Sequence, residues 1–174
     1  VDGRPVAEDP VAARASVGMV FQHPRDQFVA ATVGADVAFG PANLGLPHEE
    51  IDRRVADALD AVNLAGREDD RLSTLSGGEQ ARAAVAGALA MDPDYLVLDE
   101  PFAGLDEPAR RSLLARLDDL HESGTALVCV THDLRDLRDR ATRIVGMHEG
   151  HIAVETTGAN LEPLERIGTR VPRC

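Results

Sequence analysis

The sequence contains no lysine: all 18 basic residues are arginines, against 30 acidic residues, and the formal net charge is −12. Tryptophan is also absent, and aromatic residues make up only 3%. An acidic surface repels a phosphate backbone, so this composition argues against a nucleic-acid partner. Two explanations of the composition stay open. One is a high-salt cytoplasm, where screening relieves repulsion between acidic side chains, and the other is a GC-rich genome, which favours arginine codons.

Cysteine and long apolar runs are scarce as well. The two cysteines, Cys129 and Cys174, lie far apart, which argues against a disulfide framework and against a zinc site. No apolar run reaches the roughly 18 residues that span a bilayer, and the start of the chain lacks the basic and apolar regions of a signal peptide. Apolar residues make up 44% of the chain, which indicates a globular protein. The first residue is Val1 rather than methionine, which is consistent with a fragment or with processing.

Strand patterns alternate with helix patterns, which predicts an α/β fold with a mainly parallel sheet. Apolar runs predict buried strands over 16–21, 95–98 and 125–130. A turn at Glu149-Gly150 predicts a hairpin near the end, formed by strands over 143–147 and 151–154. Periodic apolar residues and end signals predict helices over 48–64 and over 76–91. A third helix is predicted with Pro108 in its first turn and Gly124 at its close, and its core-facing residues are Leu113, Leu114, Leu117 and Leu120. A short helix rich in arginine and aspartate is expected after residue 130. In such folds, ligands bind beyond the carboxyl ends of the strands.

Two adjacent carboxylates, Asp99 and Glu100, follow the apolar strand 95–98 at the edge where ligands bind. Asp99 is suited to hold Mg²⁺, and Glu100 is suited to orient or deprotonate an attacking water. Solvated charges at the end of a strand are the alternative interpretation, and this motif alone does not decide between the two.

A second motif, Leu75-Ser76-Gly77-Gly78-Glu79, opens the helix predicted over 76–91. Ser76 and Glu79 have the spacing of a capping box. Two glycines in the first turn of a helix each cost about 1 kcal/mol relative to alanine. Close approach of backbone N–H groups to an anion such as a phosphate would explain that cost, whereas a flexible helix start is the alternative.

A third candidate, His132, follows the apolar strand 125–130 in the run Val130-Thr131-His132-Asp133. Its position at the end of a parallel strand suits contact with a terminal phosphate and with the attacking water. A structural role is the alternative, because a single histidine is more often structural.

Together, in this order, these motifs resemble the ABC-type ATPases, whose fold is a P-loop NTPase core with a mainly parallel sheet plus a helical subdomain. Residues 75–79 resemble the signature motif, and 96–101 resemble the Walker B strand with its catalytic glutamate. Gln22 falls at the Q-loop, 103–106 at the D-loop, and His132 at the switch histidine.

The resemblance implies ATP and Mg²⁺ as cofactors and an ATPase activity. Glu100 and His132 would be catalytic, and Asp99 and Gln22 would hold the metal ion. The residues implied to bind the cofactor are Gln22, Ser76, Gly77, Gly78, Glu79, Asp99 and Asp106.

A narrower resemblance, carried by residues 21–24, 36–46 and 86–91, is to the energy-coupling-factor subgroup. These ATPases drive uptake of vitamins such as biotin, or of cobalt and nickel ions. The resemblance then implies a peripheral protein on the cytoplasmic face of the membrane, bound to transmembrane transporter subunits.

The resemblance also predicts two subdomains. Residues 1–22 and 92–174 would form the catalytic core, and 23–91 the Q-loop and the helical signature subdomain. The family's phosphate loop and its lysine precede the Q-loop strand, and this chain lacks them; we expect the N-terminal part of the domain to be absent. We therefore expect the complete protein to hydrolyse ATP and the chain as given to be inactive.

Ser76 and Glu100 are separated by a helix of about 15 residues, or roughly 22 Å, so one chain is poorly placed to bring both to one phosphate. The family's arrangement, in which the signature segment of one subunit caps the ATP held by its partner, agrees with this spacing. We expect a head-to-tail dimer, of like or unlike chains. The alternatives are a soluble ABC ATPase that serves no transporter, and a non-catalytic fragment or binding module.

The composition generates a test of salt dependence. If the acidity is an adaptation to salt, the melting temperature of the complete protein should rise strongly from low to molar KCl, because counterions screen the repulsion between acidic side chains. Thermal unfolding across a KCl series measures this. A flat or falling melting temperature would favour the codon explanation instead.

Overall fold

The structure is a computed structural model that describes residues 1–157 and 160–166. The chain divides into two compact units, Val1–Val130 and Thr131–Cys174. Cys174, considered above for disulfide pairing, lies outside the described residues. The two predicted subdomains, which place residues 1–22 with 92–174, stay a prediction.

A three-stranded parallel sheet forms the centre of the first unit. Helix α1, Pro10–Ser16, leads into β1, Val17–Val20. Strand β2, Tyr95–Asp99, lies between β1 and β3, Ala126–Val130, and pairs in parallel with both. The structure thus confirms the predicted strands and the α/β class, and it brings the carboxyl ends of all three strands to one edge.

The strands are buried on one face only, although the apolar runs predicted full burial. Leu96 and Leu98 are completely buried. On the opposite face, Met19, Val128 and Val130 are each about half exposed. An apolar run indicates that both faces can be buried, but only one face is packed by helices within the part of the chain that the structure describes.

Three helices of the first unit pack on one another: α2, Val33–Asn43; α3, His48–Ala61; and α4, Gly77–Ala90. The structure confirms α3 and α4 close to their predicted bounds. Helix α3 buries Ile51, Val55 and Leu59 on one face, as its periodicity predicted.

Helix α2 was not predicted, because glycine and proline are poor helix formers. Val33, Val37 and Pro41 nevertheless form a buried stripe at a spacing of four residues. Gly40 also packs closely on α4, since a Cβ atom there would lie 2.2 Å from the Sδ atom of Met91 and that side chain would have to move. Tertiary burial therefore overrides the local preference of this segment.

Helix α5, Glu107–Glu122, joins β2 to β3. Pro108 lies in its first turn, and Leu113, Leu114 and Leu117 are buried, as predicted. Leu120, predicted to face the core as well, is only partly buried. Gly124 follows the helix with a φ of +108°, a conformation that glycine adopts without strain.

In the second unit, β4 (Ile144–His148) and β5 (His151–Thr156) form the predicted antiparallel hairpin, and α6 (Glu162–Arg166) follows. Glu149 and Gly150 both have positive φ, as a tight two-residue hairpin turn requires. The short helix expected after residue 130 is wrong: residues 131–143 form turns. Asp133 accepts hydrogen bonds from the backbone and side chain of Arg135, and this local bonding competes with a regular helix.

None of the helices in the described ranges has the length and apolar character that crossing a bilayer requires.

The carboxyl end of α4 is held by an arginine from α3. Arg54 donates from Nη1 to the carbonyl of Met91, at 3.0 Å, and from Nε to Glu50, at 2.7 Å. Its side chain is 19% exposed, whereas that of Arg53, which also pairs with Glu50, is 58% exposed. A cation at this position compensates the unpaired carbonyls and the negative end of the helix dipole.

Replacement of Arg54 by methionine should therefore lower the free energy of unfolding by about 1–2 kcal/mol, because a half-buried carbonyl loses a charged donor. The matched variant Arg53→Met should change it by no more than about 0.5 kcal/mol, because exposed ion pairs contribute little. Urea unfolding of both variants measures the difference. Equal effects would show that Arg54 acts only as a surface charge.

Candidate functional site

The start of α4 is fixed by a reciprocal pair of hydrogen bonds. The backbone N–H of Ser76 donates to Oε2 of Glu79 at 2.7 Å, and the backbone N–H of Glu79 donates to Oγ of Ser76 at 3.3 Å. This is the capping box that the sequence predicted. The remaining N–H groups of the first turn have no partner inside the helix, which makes this end of α4 suited to an anion.

Glu79 is held further by an arginine that precedes the helix. Arg67 forms an ion pair with Glu79 and a second with Asp70. The backbone N–H of Ser76 and then the Arg67 guanidinium hold the pKa of Glu79 at about 2, well below its ordinary value of 4.5. Glu79, predicted to bind the cofactor, thus uses its carboxylate within the chain, where it orients Ser76 and its neighbours.

A surface hollow of about 620 Å³ lies beside this helix start. It is lined by two of the predicted motifs, the signature segment and the D-loop segment, together with one arginine: Ser76, Gly77, Gly78, Glu79, Arg82, Ala103, Gly104 and Asp106. The two segments touch closely, since a Cβ atom at Gly78 would lie 3.3 Å from the carbonyl oxygen of Gly104. The structure therefore unites two motifs that lie about 25 residues apart in the sequence.

Asp106 lines this hollow and also begins α5. Its Oδ1 accepts a hydrogen bond from the backbone N–H of Ala109 at 2.9 Å, the bond of an N-cap residue. A structural role for its side chain is therefore shown, and a contact with nucleotide stays a prediction.

The two adjacent carboxylates lie at the carboxyl edge of the sheet. Asp99 is the last residue of β2, half-buried and paired in register with Val130. Glu100 has a φ of +48°, an unfavourable conformation for a residue with a Cβ atom. Its backbone is held on both sides, by a bond from its N–H to the carbonyl of Val130 at 2.9 Å and by a bond from Ala103 N–H to its own carbonyl at 3.0 Å.

Gln22 lies at the same edge. Val20 of β1 pairs with Leu98 of β2. Gln22 lies two residues after Val20, and Glu100 lies two residues after Leu98, so the two residues occupy corresponding positions beyond the strands. Gln22 is exposed, and the backbone N–H of Phe21 before it donates to Oε1 of Gln27 at 2.9 Å. The loop that carries Gln22 is thus folded back on itself.

These oxygen ligands fit a magnesium ion that arrives with a nucleotide. Asp99 and Gln22 offer one carboxylate and one amide oxygen, and Mg²⁺ is commonly bound by one or two protein oxygens plus substrate phosphates and water. Within residues 1–157 and 160–166, no group of three or more His, Cys, Asp or Glu side chains could hold a metal ion by itself. The donor set is consistent with a phosphate-bridged metal rather than a closed protein site.

His132 belongs to the second unit and is the second residue after β3. Its neighbours form a local turn, in which the N–H of Asp133 donates to Oγ1 of Thr131 at 3.1 Å and Asp133 pairs with Arg135. The structure confirms that His132 follows the strand directly.

Sequence reasoning missed the polar side chains that surround the helix start, notably Arg25, Arg67, Gln80 and Arg82. A signal was present for one of them: Gln80 follows Ser76 by four residues, on a helix whose buried positions are otherwise apolar. Its partners are distant in sequence, and no local pattern could identify them.

Comparison with known proteins gives consistent results. The sequence profile of the family described as ABC transporter matches residues 1–103. The chain is 65% identical over 173 residues to a protein of Halobacterium salinarum described as an ABC transporter ATP-binding protein, covering 99% of this chain and 75% of that one. It is 42% identical to the energy-coupling factor transporter ATP-binding protein EcfA of Methanocaldococcus jannaschii, covering 99% of this chain and 64% of that one.

The fold is likewise similar to a solved structure. This is cbiO1 from Clostridium perfringens, described as part of the ABC transporter complex cbiONQ, with a TM-score of 0.78 and 32% identity. The likeness covers 98% of this chain and 71% of that one. The chain thus spans between about two thirds and three quarters of the length of these three proteins.

The depressed pKa of Glu79 generates a test of how the helix start is held. A carboxylate whose pKa is lower in the folded state stabilises the fold above its ordinary pKa, and this contribution is lost as the pH falls toward about 2. Glu79→Gln should therefore lower the free energy of unfolding at pH 7, and its difference from the unsubstituted protein should shrink as the pH falls below about 4.5.

Urea unfolding between pH 7 and pH 3 measures this difference. Glu122→Gln, which removes the same charge from an exposed site at the end of α5, is the control and should change stability little at any pH. A Glu79→Gln difference that stays constant across the range would show that the carboxylate charge does not hold the helix start.

Proposed function

Because this chain belongs to the ABC transporter family, we propose that it is the larger part of a subunit that binds and hydrolyses ATP to power a membrane importer. The observation that carries the proposal is the hollow at the start of α4, where Gly77 and Gly78 leave backbone N–H groups open beside Gly104. An anion of the size of a terminal phosphate suits such a site.

In this proposal, Asp99 and Gln22 would hold Mg²⁺ together with the phosphates of ATP, and the metal would supply neutralisation of the charge on the transferred phosphoryl group. Glu100 orients the attacking water and accepts its proton. Its backbone is fixed by bonds to Val130 and Ala103, which supports a defined direction for the side chain. His132 contacts the terminal phosphate from the segment that follows β3.

The residues proposed to contact ATP lie on two different surfaces of the chain. Among the described residues, the hollow is lined by the signature and D-loop segments, and its lining includes neither Asp99 nor Glu100. This separation supports a head-to-tail dimer in which the Ser76–Gly78 segment of one subunit caps ATP held at the Asp99 edge of the other. Two composite sites would result, from like or unlike chains.

The transport class is proposed from the relatives. Two of the proteins reported above are described as an energy-coupling factor transporter ATP-binding protein and as part of the cbiONQ complex. We infer a peripheral subunit on the cytoplasmic face of the membrane that binds transmembrane subunits and powers uptake of a vitamin, such as biotin, or of cobalt or nickel ions.

The phosphate contacts of a complete site require more than these residues. The 174 residues contain no lysine, and hence none to contact the β- and γ-phosphates of ATP. We infer that this chain alone does not turn over ATP and that the experiments on activity belong to the full-length protein.

Glu100→Gln in the full-length protein should reduce the rate of ATP hydrolysis by about 10²-fold or more, because glutamine keeps the size of the side chain but cannot accept a proton. ATP binding should persist, so the variant should accumulate as an ATP-bound dimer. Asp99→Asn should instead weaken nucleotide binding, since it removes a ligand charge from the metal.

Phosphate release and size-exclusion chromatography in the presence of ATP separate these cases. Glu107→Gln, an exposed glutamate in the first turn of α5, is the matched control and should behave like the unsubstituted protein. Near-normal hydrolysis by Glu100→Gln would remove Glu100 from the mechanism.

A further inference from the structure

One polar side chain is buried within the contact between the Gln22 loop and α4. Gln80 is 4% exposed, and it lies in the first turns of a helix whose other buried residues are alanine, valine and leucine. A buried amide without partners is unfavourable by about 1–3 kcal/mol, so its hydrogen bonds need to be identified. The proposed function leaves this residue without a role.

Both ends of the Gln80 amide are bonded, and to different segments. Its Nε2 donates to the carbonyl of Leu72, at 2.9 Å, in the short turn before the signature segment. Its Oε1 accepts from Nε of Arg25, at 2.8 Å. The bond to Leu72 directs the amide oxygen toward Arg25, so the side chain has a single orientation.

Arg25 belongs to the one-turn helix Pro24–Gln27, which begins two residues after Gln22. This turn packs against α4, and Gln27 from the same turn accepts the backbone N–H of Phe21. The Arg25 side chain therefore belongs to the same bonded loop as Gln22.

Gln80 is in turn joined to Ser76. The backbone N–H of Gln80 donates to the carbonyl of Ser76 at 2.9 Å, which is the first regular bond of the helix. A continuous series of bonds thus runs from the loop of Gln22, through Arg25 and Gln80, to the residue that opens the hollow.

We propose that Arg25 and Gln80 are positioning residues that couple the Gln22 loop to the signature segment. The bond between Arg25 and Gln80 would transmit a change in the position of the Gln22 loop to the start of α4, where Ser76 opens the hollow. The inference rests on the proposed function and deepens it, because it assigns residues that link the two surfaces of the composite site within one chain.

A merely structural role is distinguishable by what the loss of Arg25 changes. Helix α4 keeps its capping box and the Gln80 amide keeps its bond to Leu72, but the buried Oε1 of Gln80 loses its donor, so the melting temperature should fall somewhat. A loss of stability alone leaves the catalytic rate of the folded protein unchanged, whereas a loss of coupling lowers that rate.

The decisive variant is Arg25→Ala in the full-length protein. The value of kcat for ATP hydrolysis should fall about tenfold, while the Kd for ATP, measured on the isolated subunit with a fluorescent ATP analogue, stays the same. Arg25→Lys, which retains a donor, should recover most of the rate. Asp26→Ala, which alters the next residue of the same turn, is the control and should have a normal rate.

A double-mutant cycle tests whether the two residues act through one bond. Gln80→Met removes the acceptor with little change in volume, and Arg25→Ala added to it should have no further effect on kcat. Additive losses, or a kcat for Arg25→Ala within about twofold of normal, would overturn the inference. If Gln80→Met does not fold, the comparison of Arg25→Ala with Arg25→Lys and Asp26→Ala still decides.

Failure of this inference differs from failure of the proposed function. If the unsubstituted protein does not hydrolyse ATP, or if Glu100→Gln has a normal rate, the proposed function fails. If hydrolysis depends on Glu100 but not on Arg25, only the coupling between the loop and the helix is rejected.

Discussion

The first turn of α4 has to combine open backbone N–H groups with close contact to another loop. Both requirements depend on the absence of a side chain at Gly78, where a Cβ atom would approach the Gly104 carbonyl to 3.3 Å. Glycine alone gives such a helix start little stability, and the capping box of Ser76 and Glu79 compensates for it. The hollow and the close approach of the D-loop segment to α4 depend on this arrangement.

Arginine side chains hold the helices of the first unit together in a way that lysine could not. Arg54 bonds both Glu50 of α3 and the carbonyl of Met91, the residue that follows α4. At the other end of this helix, Arg67 pairs with Asp70 of the preceding segment and with Glu79 in the first turn of α4. The planar guanidinium has several donors in fixed directions, so one cation can satisfy two acceptors. Whatever evolutionary pressure removed lysine, the resulting composition suits a fold in which single cations bridge separate segments.

The sequence predicted the elements whose signals are local, and it failed where the deciding contact is distant. Strands β1 to β3, helix α4 with its capping box and the hairpin at Glu149-Gly150 all have signals within a few residues. Helix α2 was missed because glycine and proline disfavour a helix locally, whereas the burial of Val33, Val37 and Pro41 that stabilises it depends on contacts distant in sequence.

The candidate site shows the same division. The motif residues were identified one by one, but the meeting of Gly78 with Gly104 could not be predicted from local patterns. Neither could the bond between Arg25 and Gln80, which lie 55 residues apart. Burial on only one face of the sheet was also unpredictable, because an apolar run does not indicate which segment covers it.

Helix α4 is anchored differently at its two ends, so a tilt of the helix would move its amino end more than its carboxyl end. Its carboxyl end is fixed by Arg54 to α3, whereas its amino end is joined through Gln80 to a loop on the surface. With 14 residues the helix is about 21 Å long, so a tilt of about 5° around the Arg54 end would displace Ser76 by about 2 Å. A displacement of that size would be sufficient to break or form a hydrogen bond at the start of the helix, where Ser76 lines the hollow.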